Sequence, residues 1–177
     1  INKVGVSLKS TYGANSALIN HTARPGFERV CREVGADITV LDGIVEKYWE
    51  SRLAGEIPED IPNWDPRSPF RDHKEYFRPI LEYFLFRGSG SRESKHPAEY
   101  IIEFADPLNP RKWKVVSKEK AIDEIWDKLV FSMRSKKGMP DNYTLEYKGK
   151  NADSIARWVR FHDGDYKGAL HVRIKAD

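Results

Sequence analysis

Ser7 and Lys9 stand two residues apart in Lys3-Val4-Gly5-Val6-Ser7-Leu8-Lys9, where Val4, Val6 and Leu8 alternate with more polar residues. That alternation is the period of a half-buried strand, and it sends Ser7 and Lys9 out of one face. A lysine at the far end of a core strand, with a small polar residue two before it, can place an ammonium beside a scissile phosphate and offset the charge of its transition state. Metal-dependent cleavage of a phosphodiester also needs at least two oxygen ligands to hold Mg²⁺. The nearest downstream acids are Glu28 and Glu33. Glu28, on the first turn of the next helix, could supply one ligand; it equally fits the plain role of an acid stabilising a helix N-terminus.

Hydrogen-bond donors gather just after Lys9. Asn15, Asn20, His21, Thr22 and Arg24 fall between the strand and the helix expected to cover it, although loops favour these residue types anyway. A second group lies near the end of the chain. Ala156, Trp158, Arg160 and His162 would share one strand face, and Ala169, His171, Arg173 and Lys175 one face of a partner strand. A ribbon displaying Arg160, His162, His171, Arg173 and Lys175 around Trp158 could grip phosphates or enter a major groove. The competing reading is an ordinary solvated face of an antiparallel sheet. His21, His73, His96, His162 and His171 lack paired helical spacing, and only His162 and His171 could meet across that hairpin. There is no Walker-type phosphate loop and no GxSxG elbow, and Gly88-Ser89-Gly90-Ser91 reads as the start of a flexible loop.

These residues need elements to position them. Pro25 opens a helix that Gly35 closes. A second helix runs from about Leu41 to Leu53. Four prolines between residues 56 and 72 mark an ordered loop, which Trp64 and Phe70 should pack against the body. Asp72-His73-Lys74-Glu75 resembles a capping box before a third helix that reaches about Phe86 and that Pro79 should kink or split. Residues 87–97 form another loop. Tyr100–Phe104 and Trp113–Val116 read as strands. A helix starting at Ser117 carries Ile122, Ile125, Trp126, Leu129, Val130 and Met133 on one side and ends in Arg134, Lys136 and Lys137 before Gly138. The last third reads as β: Tyr143–Tyr147, then Ile155–His162 and Ala169–Lys175, joined by Asp163-Gly164-Asp165-Tyr166-Lys167-Gly168 as an antiparallel hairpin. This order predicts one α/β (α+β) domain spanning 1–177, a mixed β-sheet flanked by helices.

The bulk numbers agree with a polar-surfaced globular domain: 177 residues, 40% hydrophobic, 32% charged and a net charge of +3. So small a net charge leaves any nucleic-acid argument to the arrangement of the charges. The single cysteine, Cys31, excludes an internal disulfide and a cysteine zinc site, so a cytoplasmic setting is the default. Phe27, Val30, Cys31 and Val34 make one helical face, so Cys31 reads as a core thiol.

Lys3–Lys9, followed by Asn20-His21-Thr22-Ala23-Arg24, resembles the active-site segment of HaeIII/NgoPII-type restriction endonucleases. Trp158-Val159-Arg160-Phe161-His162-Asp163 and Leu170-His171-Val172-Arg173-Ile174 resemble the C-terminal strand of those enzymes and its partner. The matches fall at both ends of the chain, in order, with almost nothing matched between them. The resemblance implies a PD-(D/E)xK, restriction-endonuclease-like fold that binds Mg²⁺ and cuts double-stranded DNA. Lys9 would be the motif lysine. Ser7 stands where the motif acid normally falls, with Glu28 as the candidate replacement ligand, and Lys3 stands where these enzymes tend to have a Glu. The motif's first Asp would precede Ile1, so the chain is expected to be the C-terminal part of a longer nuclease, with an N-terminal segment as partner and a homodimer as a possible cutting form. Asn15, Asn20, His21, Arg24, Arg160, His162, His171, Arg173 and Lys175 would contact DNA. Two other functions fit the same residues: a non-catalytic DNA-binding module on a degenerate nuclease fold, and a protein-interaction domain whose tryptophans are core or interface.

Overall fold

The computed structural model describes residues 4–10, 17–135 and 152–175; Asn15, the Lys136–Gly138 helix end and the expected strand Tyr143–Tyr147 lie outside them. The described elements alternate irregularly between strand and helix, giving a mixed α and β architecture. Strand β1 (Val6–Ser10) is followed by β2 (Ala17–Ala23), which runs directly into helix α1 (Arg24–Val34). Pro25 sits at the start of α1, and Gly35 ends it at φ 71°, a left-handed conformation that suits glycine. Helix α2 (Ile38–Leu53) begins earlier than its apolar pattern suggests, because the Asp37 carboxylate accepts a hydrogen bond from the Thr39 amide and caps the first turn.

The proline-rich segment contains a two-residue strand, β3 (Ile61–Pro62). Ile57, Asn63 and Phe70 are buried there, as expected of an ordered loop, whereas Trp64 is 56% exposed and does not pack inward. A 3₁₀ turn then leads into α3 (Lys74–Glu82), whose N-cap His73 makes no side-chain cap bond, so the capping box does not form. Pro79 lies inside α3, and the helix passes into a π turn over Tyr83–Arg87.

Strands β4 (Tyr100–Phe104) and β5 (Lys114–Ser117) pair antiparallel, and β1 joins β4 in parallel, giving a three-stranded sheet ordered β1-β4-β5. Helix α4 (Lys118–Ile125) is short. After a 3₁₀ turn at Trp126–Lys128 the chain becomes strand β6 (Leu129–Arg134), not the continued helix that the spacing predicts. Leu129, Val130 and Met133 satisfy a helical spacing, but Phe131 and Ser132 fill the gap between them and are buried too. A strand covered on both faces shows that near-continuous burial, and local periodicity cannot separate it from a helix.

Helix α5 (Ala152–Ala156) precedes the hairpin of β7 (Arg160–His162) and β8 (Asp165–Lys167), and β9 (Ala169–Ile174) ends the described chain. The C-terminal hairpin is therefore smaller than expected. Ile155 is helical, and β9 pairs antiparallel with β2 on one side and β6 on the other, in a four-stranded sheet ordered β2-β9-β6-β3. Leu170, Val172 and Ile174 of β9 share a face with Met133, Phe131 and Leu129 of β6, and this face enters the main core with Phe70 stacked on Phe131 at 4.2 Å. Strand β2, which the sequence presents as a polar loop, is an irregular strand with two breaks in register against β9. Among the described residues no helix is long and apolar enough to cross a membrane.

Candidate functional site

Ser7 and Lys9 share a face of β1, as the alternation requires, but the burial is inverted. Val6 and Leu8 are 42% and 62% exposed, whereas Ser7 and Lys9 are half-buried. The partners set this direction. Register places Ser7 beside Ile101 and Ile101 beside Val116, and both of these neighbours are buried in the core. Leu8, Ile102 and Val115 line up on the opposite, outer face.

Lys9 pairs in register with Glu103 of β4, so a carboxylate and an ammonium project from the same sheet face. The Lys9 Nζ donates to the Ala17 carbonyl at 3.3 Å, tying β1 to the start of β2, and burial holds its pKa below the usual lysine value. Glu103 was not legible as a site residue. Its place in a strand can be read, but which residue of β1 lies beside it depends on a parallel register between distant segments.

A groove of about 770 Å³ opens beside Val6 and Ser7, walled by Phe84, Phe86 and the segment Gly88–Ala98. A second cavity of about 470 Å³ lies against the first turn of α1 and is lined by Asn20, His21, Thr22, Gly26 and Ser91. Ser89 borders both. Asn20, His21 and Thr22 thus share a wall of this second cavity.

Arg24 and Glu28 turn elsewhere. Arg24 is 6% exposed and makes a two-point pair with Asp42 of α2, Nε and Nη2 each at 2.7 Å from a carboxylate oxygen. Its Nη1 donates to Ser154 Oγ at 2.7 Å, and Ser154 donates to Glu28 Oε2 at 3.4 Å. The Trp158 indole N–H also donates to Asp42, at 2.8 Å. Here Arg24 locks α1, α2 and α5 together and is not free for a phosphate. The Glu28 carboxylate lies 3.5 Å from the Arg24 guanidinium, which competes with a cation for it. Among the described residues no group of three His, Cys, Asp or Glu side chains is placed to hold a metal ion.

The C-terminal donors separate into two places. Trp158 is buried against Phe27. The Arg160 Nη1 donates to the carbonyls of Arg157 and Val159, and His162 Nδ1 lies 2.9 Å from Asp163. His171 and Arg173 are on β9, away from that hairpin. His171 meets not His162 but His21, with ring centroids 4.6 Å apart and planes nearly perpendicular. His21 reaches this position from an irregular stretch of β2, at φ 45°. Arg173 Nη2 and Arg134 Nη2 bind Asp60 at 2.7 and 2.6 Å, and Arg134 also reaches Glu59 at 2.7 Å. His171 Nδ1 and Arg173 Nε are buried with no hydrogen-bond partner among the described residues. Burial first, then the neighbouring His21, Arg173 and Arg134, push the His171 pKa down to about 4. Burial and Arg134 lower that of His21 as well. Lys175 is exposed just beyond β9.

Cys31 is buried, its thiol pushed up to about 11 by burial, which fits a core thiol.

Comparison with protein-family models, curated proteins and solved structures found no match.

Proposed function

We propose that this chain acts on duplex DNA as the lysine-bearing part of a site-specific endonuclease. The observation that carries the reading is Lys9: a partly desolvated ammonium on an edge strand, on the same face as Ser7, in register with Glu103. A cation drawn partly out of water interacts more strongly with a phosphate than a fully solvated one. Its bond to the Ala17 carbonyl limits how far it can swing. The resemblance of this strand to the HaeIII/NgoPII active-site segment supports the same assignment. The reading is tested by incubating the protein with long, sequence-diverse duplex DNA and Mg²⁺, against an EDTA control. Discrete fragments that vanish in EDTA are the expected result; intact DNA at every protein concentration, with salt-sensitive binding retained, contradicts it.

That second outcome would favour a DNA-binding module without cleavage. A specific observation supports this alternative: Glu28, the acid proposed to replace the one missing at Ser7, lies against Arg24 and Ser154.

A further inference from the structure

The segment Gly88–His96 is not the loose loop its glycines and serines suggest. The Ser89 amide donates to the Arg92 carbonyl at 2.9 Å, and Gly88 bridges to Glu93 as an isolated β pair. Arg29 of α1 clamps the turn from below: its Nε donates to the Gly90 carbonyl at 3.0 Å, a guanidinium N–H to the Ser89 carbonyl, and another to Tyr83 Oη at 3.1 Å. Gly90 packs directly on Gly26. A Cβ on either glycine would sit 2.7 Å from Thr22 Cγ2 and 3.3 Å from the other's Cα, so a side chain at either position would push the turn off α1.

The charges on this pinned segment that have no ion-pair partner among the described residues are positive. Glu93 is neutralised by Arg87 at 2.8 Å. Arg92 and Lys95 are exposed, line the 770 Å³ groove that also contains Ser7, and make no ion pair among the described residues. Exposed cations normally need no explanation. Here they are held on a fixed turn, the adjacent Glu93 is paired with Arg87, and they face the groove beside the strand that bears Lys9.

We infer that Gly88–His96 is a backbone-phosphate grip for duplex DNA, in which Arg92 and Lys95 bind phosphates beside the Ser7–Lys9 strand and Arg29 is the positioning residue that holds the turn in place. This rests on the DNA reading above and extends it to residues outside the donor clusters read from the sequence. Contacts of this kind carry no sequence information but fix the register of the protein on the duplex.

The test is fluorescence anisotropy of a labelled duplex across a KCl series, comparing the wild-type protein with Arg92→Ala/Lys95→Ala. Each phosphate contact contributes roughly 0.9 to the slope of log K against log salt. The double variant is expected to lose roughly 2 from that slope and to weaken by the same factor on two unrelated sequences. Its melting temperature should match the wild type, because neither side chain holds the fold. Arg29→Met is expected to give a smaller loss, with faster trypsin cutting after Arg92 and Lys95 as the turn loosens. A wild type that binds with a steep salt slope, and a double variant with the same slope and affinity, overturns the grip while leaving the DNA reading standing. A wild type with no salt-dependent binding overturns both.

Discussion

The two main sheets of this molecule are built on different terms. The four-stranded β2-β9-β6-β3 sheet has its central strand β6 covered on both sides: Leu129, Phe131 and Met133 enter the aromatic core, and Ser132 on the other face is also fully buried. Its polar face is crossed by ion pairs from Asp60 and Glu59 to Arg173, Arg134 and Lys167. The β1-β4-β5 sheet covers one face only. Ile101 and Val116 pack inward, while Val6, Leu8 and Val115 lie in water on the outside. Ser7 and Lys9 sit on the less supported sheet. At the edge of that sheet, β1 brings Ser7 to the groove wall and holds Lys9 half-buried two residues on. Local stability tends to be lowest where function requires access.

The largest effect expected from this contrast is in the core of the four-stranded sheet. Phe131→Ala should cost about 3–5 kcal/mol in urea unfolding, because it leaves a cavity facing Phe70, Phe77 and Trp126. A loss below about 1 kcal/mol would mean that β6 is not the packed centre.

Acid should act on the same sheet. The His171 pKa in the folded protein is about 4, below its ordinary 6.5, so the unfolded chain takes up the proton first as pH falls. Stability is then unaffected by this group above about pH 6.5 and declines between there and about pH 4, by on the order of 2 kcal/mol once partial exposure is allowed for. His171→Gln should flatten that part of the curve. An unchanged acid slope would remove His171 as its source.

The smallest effect belongs to the other sheet. Leu8→Ser with Val115→Thr, both on the outer face, should change stability by less than about 0.5 kcal/mol. Hydrogen exchange should show the amides of β1 opening at lower free energy than those of β6. A destabilisation of several kcal/mol would mean that the outer face is packed after all.

The sequence made parts of this arrangement legible and hid others for identifiable reasons. Helix α1 was readable from Pro25 and Gly35 because cap chemistry is local. Strands β4 and β5 were readable because both carry compact β-branched runs. Strand β2 was hidden because Asn20, His21 and Thr22 are loop-forming types, and only pairing with β9 makes them a strand. Strand β6 was hidden because burial on both faces imitates a helical spacing. The final hairpin is shorter than its turn chemistry suggests for a related reason: Asp163-Gly164 do mark a hairpin, but nothing local shows that it stops at Lys167 and that β9 then pairs with β2 and β6. At the candidate site, Ser7 and Lys9 were legible as one face of β1. The inverted burial and the Glu103 partner were not, since both follow from a parallel register between segments some ninety residues apart. Arg24 could be singled out as a donor, but its destination, Asp42, is a tertiary fact.

In the proposed function, Lys9 on the edge strand performs the chemistry while other residues hold the DNA. This role of Lys9 is tested most directly by measuring duplex binding and Mg²⁺-supported cleavage side by side for wild type and Lys9→Ala. Lys9→Ala is expected to keep affinity within a few-fold and to lose cutting by at least about 100-fold, the scale of removing one preorganised transition-state contact. Cutting at the wild-type rate by Lys9→Ala would contradict it.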